Sequence, residues 1–533
     1  MRRRSLVPIV VVALGLAACN GGEEVDLGDA ADDEALDDVE DAPDDDPEDD
    51  PDADPDEVAE GGTLRAAIGG DPDQLNPHTT TSSFAFTVLE NVYDTLVEPG
   101  DDLTMEPALA ESWEVSDDLL TWTFELRDGV SFHDGSELTA DDVVASYEFI
   151  AAEGDNAFRL DPVESFEAVD DATVEISLER PAPNLLEQLG AFKGMAIAPA
   201  EAIDAGTLDD EPVGTGPFSF VSFTPGDSVE IERYDDYWGG TAAIDGVHFQ
   251  VIPDPGVKLT NLETGEVDWI DSVPPEQVET LQDLDDVEVG QVAGNDYHYL
   301  ALNHEVEPFD QVEVRQAIAY ALDIATITEA AQFEAATPNE TAIPETSFWY
   351  FDHERFGTDP DQAQQLLDEA GVEEGEITID LMVTNEFPET VTAAEVISSQ
   401  LGEVGIGVDI RTEDFSTWLA DQGDGDFDGF VLSWIGNIDP DDFYYAQHHS
   451  EGINNFQGFA DDEVDQLLDD AREETDEDTR KDLYDQAAER IVDQASYIYF
   501  YNSDIIEAWA PNVSGYETRP DQATRFRGVS LED

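Results

Sequence analysis

Few residues of this 533-residue chain have a type and spacing suited to chemistry. There is one thiol, Cys19, and there are eight histidines, of which His448 and His449 form the close pair. Adjacent side chains leave a helix or strand in different directions, so two neighbouring histidines rarely share a metal ion. Asp and Glu number 129, so many that two of them near each other say nothing about acid–base work. A glycosidase would need a pair at a set separation, which sequence does not reveal. The chain has no Gly-x-Ser-x-Gly elbow, no His-Glu-x-x-His, no Walker loop and no glycine-rich dinucleotide turn. No catalytic group, metal site or cofactor is assigned.

Cys19 has a context of its own. Arg2, Arg3 and Arg4 precede an apolar run from Leu6 to Leu16, followed by Ala17, Ala18 and Cys19. That order of charge, apolar stretch and small residues is a signal segment, and the run is shorter than the roughly 20 residues a membrane-crossing helix needs. Leu16-Ala17-Ala18-Cys19 resembles a bacterial lipobox, in which the thiol takes a lipid and becomes the new N-terminus. A lone cysteine in an exported chain has no internal disulfide partner. The alternative is an ordinary signal peptide that ends near a cysteine.

Residues 20–60 hold 22 acidic and no basic side chains, interrupted by Pro43, Pro47, Pro51 and Pro55. Such a segment repels itself and buries no core, so an extended, disordered tether is expected. The acidity continues beyond it. Without that segment and the three N-terminal arginines, the chain still carries 107 acidic against 17 basic residues, and its only lysines are Lys193, Lys258 and Lys481. In dilute buffer that charge strains a folded body. At molar salt the screening length falls to about 3 Å, so the composition reads as adaptation to a salty medium in a prokaryote. A cationic partner or a metal reservoir is the other reading. Nucleic acid is excluded as a partner, because phosphate binding needs clustered Lys and Arg.

The elements alternate. Trp122, Phe124 and Leu126 have strand spacing, as do Val174, Ile176 and Leu178, then Val247, Phe249 and Val251, then Ile377, Ile379, Leu381 and Val383. Helical spacing appears at Val143, Val144, Tyr147 and Ile150, at Val396, Ile397, Leu401 and Val404, at Val464, Leu467, Leu468 and Ala471, and at Leu483, Ala487, Ile491 and Val492. A mixed α/β body of two or three lobes is expected from residue 61 onward.

Several segments are more specific. Pro107-Ala108-Leu109-Ala110-Glu111-Ser112-Trp113 leads to Thr123 through Val130, then to Phe132-His133-Asp134-Gly135 and to Leu138 through Val143. Further on come Pro212-Val213-Gly214-Thr215-Gly216-Pro217-Phe218, Tyr237-Trp238, Gly265-Glu266-Val267-Asp268, Val314-Arg315-Gln316-Ala317-Ile318-Ala319, and Trp434 followed by Asp439-Pro440-Asp441. In this order the blocks resemble the family 5 solute-binding proteins of ABC importers, which include oligopeptide-, dipeptide- and nickel-binding proteins. The resemblance covers residues 61–510. Read physically, most blocks are structural: bulky alternating residues, Asp-Gly turns, and Thr139 or Asp141 capping a helix.

The resemblance implies an α/β periplasmic-binding-protein-like type II fold, a two-lobed clamp with an extra domain (cluster C type) that closes by hinge motion. The expected layout is a lipoprotein signal peptide at 1–19, the tether at 20–60 and the body at 61–533. Within the body, the first lobe spans about 61–104, 197–293 and 500–533, the extra domain about 105–196, and the second lobe about 294–499. It also implies a non-enzymatic monomer, held by lipidated Cys19 at the outer face of the cell membrane. Its partners would be a peptide or other small solute and an ABC permease and ATPase complex. An exported hydrolase of carbohydrate or peptide and a sensor-linked binding protein stand as alternatives.

For the site, the resemblance places Thr81, Ser82 and Ser83 along the cleft on one lobe, and Trp434, Gly436, Asn437 and Asp439 on the other. Peptide-binding members pair the ligand's backbone as an added strand and hold its α-amino group with an acidic side chain. Here Asn437 stands at that position, in a loop one residue shorter than in dipeptide binders. An asparagine accepts a hydrogen bond from an ammonium without neutralising it. Either Asp439 takes the role or the ligand has no free amino terminus, and Asp439-Pro440 is equally a turn. Trp418 is either a second wall or core packing. Arg411 pairs with a ligand carboxylate or with a neighbouring Asp.

Overall fold

Trp122, Phe124 and Leu126 bury one face of the strand Thr121–Leu126, as their alternation predicts. The structure is a computed structural model. It describes residues 61–532 except Thr81, 101–102, 155–156, Phe192, Asp285, Glu334, Glu354, Glu386 and 436–437. Cys19 and the acidic tether therefore lie outside the described residues, as do Thr81, Gly436 and Asn437.

Thr121–Leu126 belongs to a four-stranded antiparallel sheet in the order Ala110–Val115, Thr121–Leu126, Thr173–Leu178 and Val163–Asp170. The helix Ala140–Glu153 packs on it, burying Val143, Tyr147 and Ile150. Its N-cap is Thr139, whose N–H donates to the Asp142 carboxylate at 2.9 Å. This unit has its own core, running from Leu96 to Ile197.

Ten other strands share one path of neighbours. Gly407–Glu413, Thr378–Thr384, Gly429–Ile435 and Asp296–Leu302 lead to the 13-residue strand Tyr497–Trp509, and then come Trp269–Ile270, Thr63–Ile68, Gly246–Val251, Ser228–Arg233 and Phe218–Thr224. Tyr497–Trp509 is the crossing element. Its first half pairs with Asp296–Leu302 and its second half with Glu288–Ala293 and Trp269–Ile270. Two strand runs therefore join the lobes, because Glu288–Ala293 continues through Gly294 and Asn295 into Asp296–Leu302. Separate cores lie on the two sides. One is built from Leu64, Phe218, Phe249, Trp269 and Phe526, the other from residues between Tyr297 and Tyr501. This is the two-lobed mixed α/β fold expected from sequence.

The sequence blocks find structural work in it. Thr215 Oγ1 and Trp238 Nε1 donate to the half-buried Asp94 carboxylate at 2.9 and 2.8 Å, so two blocks meet on one acid. At Gly214 and Gly216 the Val92 carbonyl oxygen would lie 2.1 and 2.8 Å from an added Cβ, so no side chain fits. Asp268 takes the Arg65 guanidinium at 2.5 and 2.8 Å. Arg315, 4% exposed, donates instead to the Phe309 and Gln494 carbonyls, both at 2.8 Å. Its burial lowers the guanidinium pKa to about 10.

Candidate functional site

Strand direction locates the site before any side chain does. Gly429–Ile435 and the crossing strand both run antiparallel to Asp296–Leu302, so they run the same way; Thr378–Thr384 and Gly407–Glu413 follow them. Their carboxyl ends thus point along the crossing strand toward the first lobe. On the other side Trp269–Ile270 is antiparallel to the crossing strand, and Thr63–Ile68 and Gly246–Val251 run with it. Their carboxyl ends point back toward the second lobe. Open α/β sheets bind ligands beyond the carboxyl ends of their strands, and here the two sets of ends face each other across the stretch Asn502–Asp504.

The first-lobe edge carries Gly69 and Gly70, the first helix and Asp271. Gly69 N–H donates to Asp271 Oδ2 at 2.7 Å. Buried Lys258 pairs with the same carboxylate and donates to Ser272 Oγ at 2.8 Å. The Phe84 ring would lie 2.6 Å from a Cβ at Gly70, so glycine is required for that ring to cover the strand end. Phe84 is the second residue of the helix Ser83–Leu89, whose N-cap is Ser82. Ser82 N–H donates to Thr80 Oγ1 at 3.1 Å, and that hydroxyl donates to Asp73 at 2.6 Å. Ser82 is half-buried and Ser83 exposed, both beside the end of Thr63–Ile68.

The second-lobe edge is acidic. Asp296 stands opposite Ile435 in register, next to the half-buried Trp434. Its carboxylate accepts from Ser503 N–H at 2.7 Å and lies 3.2 Å from His298 Nε2. The His298 ring stacks on Tyr501 at 4.4 Å, and its Nδ1 has no hydrogen-bond partner among the described residues. Glu389, in the first turn of the helix Pro388–Glu403, has its pKa raised by burial and lies within the field of Asp296 and His298. Asp504 is raised in the same way, and Gln291 donates to it at 2.6 Å. Sequence reasoning missed Gly69, Gly70, Phe84, Asp271, Asp296, Glu389 and Asp504. The glycine pair directly after a strand was the one signal available.

The other nominated residues lie elsewhere or are already engaged. Asp439, 2% exposed, is held by Arg480 through Nη1 at 2.6 Å and Nη2 at 2.8 Å. It also accepts from Asn184 Nδ2 at 3.2 Å and from Asp441 N–H at 3.0 Å. Its charge is neutralised within the protein, which removes the motive for an ammonium anchor there. Arg411 sits among Asp380, Glu413 and Asp421 at 3.2, 2.9 and 2.5 Å, so it takes the neighbouring-acid alternative. Trp418 is fully buried between Phe415 and Phe430, which is the core-packing alternative. His448 bonds to Ser496 and Tyr499 inside the second lobe. Among the described residues, no group of three or more His, Asp or Glu is placed to hold a metal ion, and no helix is long and apolar enough to cross a membrane. A cavity beside Glu90, Asp94 and Glu98 lies away from the facing strand ends, and its Arg525 and Arg527 both pair with Glu98.

Residues 104–455 match the family described as bacterial extracellular solute-binding proteins, family 5 middle. The chain belongs to this family. It is 31% identical over 514 residues to heme-binding protein A of Haemophilus influenzae, covering 88% of this chain and 91% of that one. It is equally 31% identical to the dipeptide-binding protein of Escherichia coli, covering 88% and 95%. Among solved structures, the periplasmic binding protein DppA of Helicobacter pylori in complex with the peptide STSA superposes with a TM-score of 0.78 at 28% identity, covering 89% of this chain and 99% of that one. Family 5 proteins are solute-binding proteins.

Proposed function

We propose that this family 5 protein is the capture subunit of an ABC importer. It would be lipid-anchored through Cys19 at the outer face of the membrane and would deliver a peptide or related small solute to its permease and ATPase. The observation that carries the reading is the pair of opposed strand edges, Gly69–Gly70 with Ser82 and Ser83 on one side and Trp434 with Asp296 on the other. A solute between them would lie along strand ends from both lobes, which suits an extended backbone. Asp296, Glu389 and Asp504 place three carboxyl groups on the second-lobe edge, and the His298 ring lies 3.2 Å from Asp296. Such an edge favours a ligand with a positive group, as a peptide with a free amino terminus has.

The test is thermal unfolding of the full chain in molar salt with di- to hexapeptides, nickel chelates and oligosaccharides. A ligand present at a thousand times its Kd stabilises the folded state by about 4 kcal/mol. Peptides with free amino termini are expected to raise the melting temperature. A shift with a sugar or a chelate and none with any peptide overturns the peptide reading.

A further inference from the structure

A second set of contacts joins the extra domain to the second lobe, at the turn that follows the strand Gly429–Ile435. It is centred on the short helix Leu185–Gly190 and the turn Asp439–Asp442. Asn184, the N-cap of that helix, donates to Asp439 Oδ1 at 3.2 Å. Arg159 Nη1 lies 3.0 Å from Gln188 Oε1 on the helix and 3.4 Å from Asp442 Oδ2 on the turn. Glu187 lies one turn along from Asn184, and its Oε2 is sealed from solvent without a hydrogen-bond partner among the described residues.

These contacts link bodies that the chain connects through the crossing strands, with the helix on the extra domain and the turn on the second lobe. A hinge motion there breaks them. We propose that Asn184, Glu187 and Arg159 form a latch on the Asp439–Asp442 turn, and that closing it takes up one proton at Glu187. The inference rests on the two-lobed clamp and is independent of which solute is bound.

The groups facing Glu187 account for the proton. From the turn come Asp439 and, beyond it, Asp441 and Asp442; from the helix Glu477–Asp493 come Arg480 and Glu477; and Arg472 reaches Asp441 at 3.1 Å. Arg480 is already committed to Asp439 in a bidentate pair, and it opposes the shift of Glu187 less than burial and Asp439 promote it. Burial first, then Asp439, raises its pKa to about 7. An exposed glutamic acid titrates near 4.3, which is the state expected when the latch is open. Closing therefore binds a proton between those values. The sign follows: closure is weakest above pH 7 and strengthens as pH falls, up to tenfold per unit, until about pH 4.3.

Because Cys19 is the chain's single cysteine, the full chain carrying Cys19→Ser accepts a spin-label pair at two introduced cysteines. Exposed Glu167 on the extra domain and exposed Asp478 on the second lobe suit that purpose. Interlabel distances in molar salt without ligand then give the closed-to-open ratio. The ratio is expected to rise roughly 30-fold between pH 8.5 and 5.5. Glu187→Gln, which keeps the shape and an acceptor oxygen, is expected to abolish that dependence. Asn184→Ala is expected to lower the ratio at every pH and keep the slope. A ratio that does not change with pH overturns the proposal. So does a slope that persists in Glu187→Gln, which would put the proton on another carboxyl such as Asp441, and so does a ratio unaffected by Asn184→Ala.

Discussion

Asp439 and Arg480 meet in a two-pronged pair, with Nη1 to Oδ2 at 2.6 Å and Nη2 to Oδ1 at 2.8 Å, and their side chains are 2% and 5% exposed. The Trp349 ring lies 5.0 Å from the guanidinium, and Arg480 Nε donates to the Ala471 carbonyl at 3.1 Å. The pair fixes the turn that enters the helix Asp441–His448 onto the helix Glu477–Asp493. Removing one partner of a buried pair leaves the other charge without compensation, a loss of about 3–5 kcal/mol. Asp439→Ala is therefore expected to lower unfolding free energy by that amount in denaturant titrations at molar salt. Peptide affinity of the fraction that remains folded should fall no further than in Asn184→Ala, because both variants cut the same Asn184–Asp439 contact. A stable variant that has lost only its affinity would return Asp439 to the ligand.

His448 is buried between Ser496 Oγ at 2.9 Å and Tyr499 OH at 2.8 Å. Burial lowers its pKa to about 3, with His304 adding to the effect. The unfolded chain binds the proton near pH 6.5 and the folded one does not until about pH 3. This stability is complete above pH 6.5 and is lost as pH falls toward 3, at about 1.4 kcal/mol per unit. His448→Gln is expected to make the acid limb of a stability–pH curve shallower by one proton. An unchanged slope would mean that His448 does not contribute to the acid limb.

The chain's formal charge of −109 makes salt a structural variable. Lowering NaCl from molar to 0.1 M lengthens the screening range from about 3 to about 10 Å, and carboxylates on neighbouring surfaces then repel. Loss of the folded far-ultraviolet dichroism signal is expected at 0.1 M. A body equally stable at both concentrations would sink the salt-adaptation reading.

Much of the fold was legible because alternation and helical spacing report burial directly. Val174, Ile176 and Leu178 bury one face of a strand, and Val464, Leu468 and Ala471 one face of a helix. The site was less legible. Asp439 looks the same in sequence whether it faces a ligand or Arg480, 41 residues away. The same holds for Arg411, whose partners lie between 2 and 31 positions away. Asp296 and Glu389 were hidden for another reason: in a chain this acidic, no single carboxylate stands out. Only strand direction brings those two to the same edge.

Glu389 offers the sharpest test of ligand charge. It is held at a helix N-terminus, burial raises its pKa, and His298 is the nearby group that opposes the shift. A cation placed against this edge would gain from Glu389 without displacing an arginine or lysine partner. Glu389→Gln keeps the size and one acceptor oxygen and removes the charge. It is expected to weaken a peptide with a free amino terminus about tenfold, the order of one charge-assisted hydrogen bond, and to leave the N-acetylated peptide unchanged. Isothermal titration of both peptides against both proteins measures this. Equal weakening of the two would mean that Glu389 supports the helix end rather than the ligand, and that the positive group of the solute lies elsewhere.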